Sequence, residues 1–187
     1  MRAALFLVVL FASTARADDR VYLHAELDPL TFVNGGYGGQ LGIRLPQLQG
    51  VRLAIASFSL HVPDVLSQIG NAGFDERVEP SGALYVLYYF RPAGHDGFAV
   101  GGSFRYLRVR YERDDLPGVE THVTELSPEA ILGYQWHPFH NGFYLQPWLA
   151  LGVVLHRSRD TAVGDRTYNE FPISPFFTVN IGYEQGL

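Results

Sequence analysis

Strand-like alternation places several ionisable residues where they could meet. Glu125, Ser127 and Glu129 fall on one face of the segment Glu120–Trp136, opposite Leu126, Ala130, Leu132, Tyr134 and Trp136. The preceding segment, Phe98–Arg113, puts Arg105 on the corresponding face. A phase change expected near Tyr106-Leu107 would bring Arg108 and Arg110 to the same side. Glu26, with His24, adds to this face from a first segment. Two carboxylates in one enclosed space are suited to acid–base work. Carboxylates facing guanidiniums are suited to satisfying one another as ion pairs. A plug of ion pairs, a gated polar path or small-ligand site, and catalysis are the three uses open to this cluster.

Other candidate chemistry is thinner. His137-Pro138-Phe139-His140 has a spacing compatible with a metal, but it sits in an expected turn without a third ligand and reads as a solvated turn. Asp114-Asp115 with Glu120 could gather calcium and reads more simply as an acidic loop. The chain has no cysteine, which excludes disulfides, thiolate metal ligands and a thiol nucleophile. No cofactor motif is present. The net charge is −5, all 14 basic residues are arginine, and no basic patch points to nucleic acid.

The elements that must position these residues are strands. Charged residues make up 18 % and aromatics 14 % of the 187 residues. Met1–Ala17 has the form of a secretory signal: Arg2, an apolar run to Ala12, and Ala15-Arg16-Ala17 as a cleavage site. Its removal leaves a single domain over 18–187 with a charge of −7. The apolar run is too short to cross a bilayer as a helix. The remainder divides into eight alternating segments: Val21–Val33, Tyr37–Leu45, Val51–Val62, Gly82–Arg91, Phe98–Arg113, Glu120–Trp136, Phe143–Arg157 and a last strand over Phe177–Leu187. Pro29 interrupts the first, and Pro128 suggests a bend in the sixth. Short turns at Pro46–Gly50, Pro92–Gly97 and His137–Gly142 alternate with longer connections at Pro63–Ser81, Arg113–Val119 and Ser158–Pro172, with a tight one at Asn34-Gly35-Gly36. A helical turn is expected at Asp64–Ile69. Aromatics at the segment ends, among them Tyr88, Tyr89, Phe90, Tyr106, Tyr111, Tyr134, Trp136 and Phe143, suit interfacial girdles. A soluble barrel with its apolar face inside would share the same periodicity; the Arg–Glu face favours a polar interior.

The leader, the eight alternating segments, the asymmetric connections and the amphipathic last strand, ending Tyr183-Glu184-Gln185-Gly186-Leu187, resemble the small outer-membrane β-barrel superfamily around the OmpA membrane domain, OmpX and OmpW. The resemblance covers the mature chain and is architectural. It implies an all-β, antiparallel, up-and-down transmembrane barrel of about eight strands with periplasmic termini. The implied partners are the barrel-assembly machinery during biogenesis and outer-membrane lipids and lipopolysaccharide afterwards. A monomer is expected, with no metal or other cofactor. Eight strands leave an interior that side chains can fill. A non-enzymatic structural or surface-interaction protein acting through its long loops is the first functional expectation, and a narrow channel or small, apolar-ligand-binding barrel the alternative. A lipid-modifying enzyme comes last. His122-Val123-Thr124 has the histidine spacing of lipid A deacylase barrels but carries threonine where those have serine, with no suitable glutamate downstream.

Overall fold

The structure, a computed structural model, describes residues 20–48, 50–64, 71–139, 141–169 and 173–187. The expected signal over Met1–Ala17 lies outside the described residues, as do His140 and all but the first residue of the expected turn at Asp64–Ile69. Eight main antiparallel strands form the wall: β1 Tyr22–Leu27, β2 Tyr37–Arg44, β3 Val51–His61, β4 Phe74–Tyr89, β5 Gly97–Arg113, β6 Glu120–Gln135, β7 Phe143–Val153 and β8 Ile173–Gly186. Each pairs with the next, and β8 pairs with β1 from Tyr22↔Gly186 to Leu27↔Ile181, closing the barrel. Closure removes most of the open sheet edge, which lipid would not tolerate.

The polar face is inside. On β5 the odd-numbered residues from Ala99 to Arg113 point inward, and on β7 the even-numbered ones from Tyr144 to Gly152 do. Leu84, Val86, Leu132, Leu151, Phe177 and Ile181 are exposed on the outer face. Near the short turns the outward aromatics meet across strands. Phe98 and Tyr134 lie 5.0 Å apart by ring centroids, and Phe143 and Tyr183 also 5.0 Å. Tyr89 and Tyr111, expected in the girdles, instead point inward and are buried.

Several expected boundaries move. The first segment is not one strand. At Asp28-Pro29 the chain leaves the sheet and forms a one-turn helix, α1, over Pro29–Val33. Proline has no N–H for a ladder but fits the first turn of a helix. Asp28 caps it by accepting from the Leu30 N–H at 3.0 Å, and the Thr31 hydroxyl donates to the Asp28 carbonyl at 2.7 Å. The fourth strand starts well before Gly82, at Phe74, so part of the expected long loop is wall. β7 stops at Val153, and His156–Arg157 forms a separate short pairing with β6.

The expected irregularities are real but displaced. β5 and β6 pair without interruption from Gly97↔Gln135 to Glu112↔Glu120, so neither Tyr106-Leu107 nor Pro128 marks a bulge in its own strand. The register shift lies in β4, between Val78 and Gly82, and has a counterpart in β3 between Phe58 and Leu60. Pro128 faces the break on its other side, where β6 changes partner from Gly152 to Arg157. An imino acid has no N–H to offer that neighbour.

Candidate functional site: a charged floor below an apolar chamber

In the short-turn half, a network of polar side chains fills the lumen beside an inward apolar cluster that includes Leu87, Ala99 and Ile131. Glu26 on β1 accepts from four donors: Gln40 on β2, Arg52 on β3, the Tyr144 hydroxyl on β7 at 2.6 Å and Asn180 on β8 at 2.7 Å. Arg52 also donates to the Tyr144 hydroxyl at 3.2 Å, and its guanidinium lies 5.1 Å from the Tyr89 ring centroid. Arg44 stacks on the same ring at 4.2 Å. The Tyr89 hydroxyl donates to Gln146 at 3.1 Å. Gly182 makes room for this crossing: a Cβ there would stand 2.3 Å from the Tyr144 ring.

A second carboxylate, Glu184, seals the layer beneath. It meets His137 Nε2 at 3.1 Å and Gln135 Nε2 at 3.5 Å, accepts from the Gly94 backbone N–H, and lies 3.6 Å from His24 Nδ1. The Asp96 carboxylate accepts from the His137 backbone N–H at 2.7 Å. Glu26, Arg52, Glu184 and His137 are all nearly inaccessible, so pairing is what makes their burial tolerable.

The six residues singled out in the sequence do not form one cluster. Arg105 and Glu129 face each other in the lumen at 2.8 Å, and Ser103 donates to Glu129 at 2.6 Å. Glu125 is inward but pairs with Arg157, beyond the end of β7, at 2.8 Å. Glu26 belongs to the floor, with Arg52. Arg108 and Arg110 are on the outer face, contrary to expectation, because β5 keeps its phase. Arg108 lies 3.3 Å from Glu79, and Arg110 lies 3.5 Å from Glu120. His122 is outward too, at 2.9 Å from Glu120 and 3.3 Å from Glu79. His137 is no solvated turn residue: it folds back under the barrel. Asp115, in the acidic loop, binds Arg113 through paired contacts at 2.8 and 2.6 Å. Among the described residues, no group of three or more His, Cys, Asp or Glu side chains is placed to hold a metal ion.

Above the floor the lumen opens into a cavity of about 690 Å³, within the usual range for small-molecule sites. Glu26, Gln40 and Asn180 form its base. Its walls are mostly apolar, with Phe58, Leu60, Leu107, Val109 and Trp148, and with Arg105 and Glu129 at mid-height. The Trp148 indole nitrogen and Arg105 Nε are buried there without a hydrogen-bond partner among the described residues.

The long-loop end is covered. Tyr168 comes down from the β7–β8 connection onto Tyr111 (centroids 4.6 Å apart) and Phe74 (5.5 Å), and its hydroxyl donates to Glu76 at 2.7 Å. Asn71 and Asn169 bond reciprocally at 2.9 and 2.6 Å. Arg113 ties Asp165 to Asp115, and its hydrogen bonds hold both loop carboxyls below the usual aspartate range.

Sequence reasoning missed Arg52, Tyr144 and His137 as parts of the site. Tyr144 and Gln146 were on the polar face of their segment, so that signal was present; nothing local marks His137 as turning inward.

No protein-family model and no curated protein sequence matches the chain. Solved structures do. The Neisserial surface protein A (NspA) matches with a TM-score of 0.50 and 12 % identity, over 88 % of this chain and 94 % of its own. The N-terminal β-barrel domain of Pseudomonas aeruginosa OprF matches with a TM-score of 0.51 and 13 % identity, over 91 % of this chain and 100 % of its own. With a closed antiparallel wall, an apolar outer face and a polar floor, the chain has the fold of the small outer-membrane β-barrels.

Proposed function

We propose that this protein is a non-enzymatic outer-membrane barrel that binds a small apolar or amphipathic molecule in its upper lumen and conducts nothing through its lower half. The observation that carries this reading is the pairing of an apolar-walled cavity of about 690 Å³ with a base of interlocked, buried side chains. A conducting pore needs a continuous wet path, and the Glu26–Arg52–Tyr144 and Glu184–His137 groups fill the section where that path would run. No step of acid–base chemistry is assigned. Glu129 is engaged by Arg105 and Ser103, and Glu125 by Arg157. Placement in the outer membrane is supported by the fold and by the apolar outer face; heat-modifiable migration and co-fractionation with outer membranes test it.

The binding test uses Trp148, which lines the cavity. Of the chain's two tryptophans, Trp136 lies on the outer face and can be replaced by phenylalanine. A brominated fatty acid added to the folded Trp136→Phe protein in detergent should quench Trp148 saturably, and planar bilayers carrying the protein should show no steps of conductance. Unsaturable quenching equal to that of free tryptophan, or regular conductance steps, would overturn the reading.

A further inference from the structure

The barrel wall has a breach. β1 ends at Leu27, where it pairs with Ile181, so among the described residues β8 from Ile173 to Asn180 has β7 on one side and no strand on the other. β2 cannot fill the place, because its pairing with β1 begins at Gly39 and its end at Tyr37–Gly38 is held by β3. Among the described residues, only α1 stands in the gap, with the Thr178 hydroxyl donating to Asp28 at 2.6 Å. Unpaired strand edge in contact with lipid is costly, so a breach at membrane depth calls for a use.

Its surroundings are apolar. Ile173 and Phe177 on β8 itself, and Leu149 and Leu151 on the adjoining β7, are exposed on the outer face, so the breach borders the apolar outer band. Its rim is apolar as well. Leu30 on α1 and Leu27, Leu149, Pro175 and Phe177 on the strands are outer-face residues, yet they also line the lumen cavity. The chamber is therefore continuous with the lipid-facing surface. Below it lies the charged floor, and above it the Tyr168 cover.

We infer that the gap between α1 and the upper half of β8 is a lateral portal through which the acyl chain of a membrane lipid enters the lumen chamber. The inference rests on the ligand-binding reading and names both the ligand and its route. Phe58, Leu60, Leu107 and Val109 receive the chain. The unpartnered Trp148 indole N–H and Arg105 Nε–H are donors for an ester or carboxylate oxygen.

The test again takes Trp148 as the sole tryptophan, in vesicles of phosphatidylcholine brominated along its chains. The absence of cysteine lets Leu30→Cys be modified, after folding, with a bulky charged thiol reagent that fills the portal. Leu84→Cys, on the outer face of β4, is the control. Unmodified Leu30→Cys should be strongly quenched by the vesicle lipid, and modification should remove most of that quenching. Modification at Leu84→Cys should leave it unchanged. Folding is checked by the heat-dependent gel shift before and after labelling, and Leu30→Asp should reproduce the block without a reagent. Saturable quenching by soluble brominated fatty acid with no effect of Leu30 labelling on the lipid signal overturns the portal while the binding reading stands. Loss of both signals in the unmodified protein overturns both. Quenching by the soluble acid alone assigns the chamber to free fatty acids and overturns entry from the bilayer.

Discussion

Replacing one partner of the Glu26–Arg52 pair should destabilise the barrel far more than replacing both. Both side chains are almost completely buried, and the pair sits where side chains of five strands converge. Breaking a buried ion pair by removing one member costs about 3–5 kcal/mol, because the remaining charge is left without compensation. Arg52→Met falls at the low end. Glu26 keeps Gln40, Tyr144 and Asn180 as donors, so the cost should be about 3 kcal/mol, roughly two factors of ten in the unfolding equilibrium. Glu26→Leu falls at the high end, about 5 kcal/mol, since it strands the Arg52 guanidinium and leaves the Gln40 and Asn180 amides without their acceptor. The double variant strands neither member of this pair, and its cost should fall short of the sum by about 2–3 kcal/mol. Urea titration of protein folded into vesicles, followed by tryptophan emission and by the heat-dependent gel shift in both directions, measures all four corners of the cycle. Additive costs, or a neutral Arg52→Met, would show that the floor is held by packing and not by this pair, and would refute the argument.

Gly182→Ala should cost about 1–3 kcal/mol by forcing the Tyr144 ring off the Glu26 carboxylate, measurable by the same titration. Arg110→Ala should cost less than about 1 kcal/mol, because its ion pairs with Glu112 and Glu120 lie on the outer surface, and a large loss would put it back in the lumen. The Arg113 clamp lowers the folded-state pKa of Asp115 and Asp165. Its contribution is therefore fully present at neutral pH and is lost only as pH falls through those lowered values. Protease cleavage in the 154–169 connection should stay constant down into the ordinary aspartate range and rise only in stronger acid, whereas Arg113→Gln should expose that connection already at neutral pH.

Much of the wall was legible from period-two alternation, since Gln40, Arg44, Tyr144, Gln146, Asn180 and Glu184 all stand on the polar faces of their segments and all point inward. The sequence misled at Arg108 and Arg110 for a physical reason. Up to Tyr106 the outer face of β5 is apolar (Phe98, Val100, Phe104), as a lipid-facing strand requires. Beyond it the outer face becomes charged at Arg108, Arg110 and Glu112, while Leu107, Val109 and Tyr111 turn inward. Alternation continues without a break; what changes is the surrounding medium, and in a one-dimensional pattern this looks like a slipped phase. The bulges were equally hard to place. A register shift in β4 leaves no mark in β5, and Pro128 disturbs the strand beside it. The Glu26–Arg52 pairing spans 26 residues, and that between Glu26 and Asn180 spans 154, so neither leaves a local signature.

The same inversion accounts for the chamber. Where the outer face is apolar, the interior can take polar side chains that pair with one another, which gives the floor, set beside an inward cluster of Leu87, Ala99, Ile131 and Trp148. Where Arg108, Arg110, Glu112, Glu120 and His122 mark a wet exterior, the interior packs as in a soluble barrel, with Phe74, Val78, Leu107, Val109, Tyr111, Val123, Val163 and Tyr168 forming one apolar cluster. The cavity lies where one regime gives way to the other, bounded by Glu26 and Asn180 below and by Tyr111 and Tyr168 above. A molecule that fits this junction must itself change from apolar to polar along its length. The wall is interrupted at the same height, by a proline-started helix with Leu30, Phe32 and Val33 exposed. Closing the sheet there would have required only that β1 continue past Leu27, and Asp28-Pro29 prevents it. The chain thus gives up strand pairing in the part of the wall where the adjoining lumen offers an apolar chamber, the arrangement that entry from the bilayer demands.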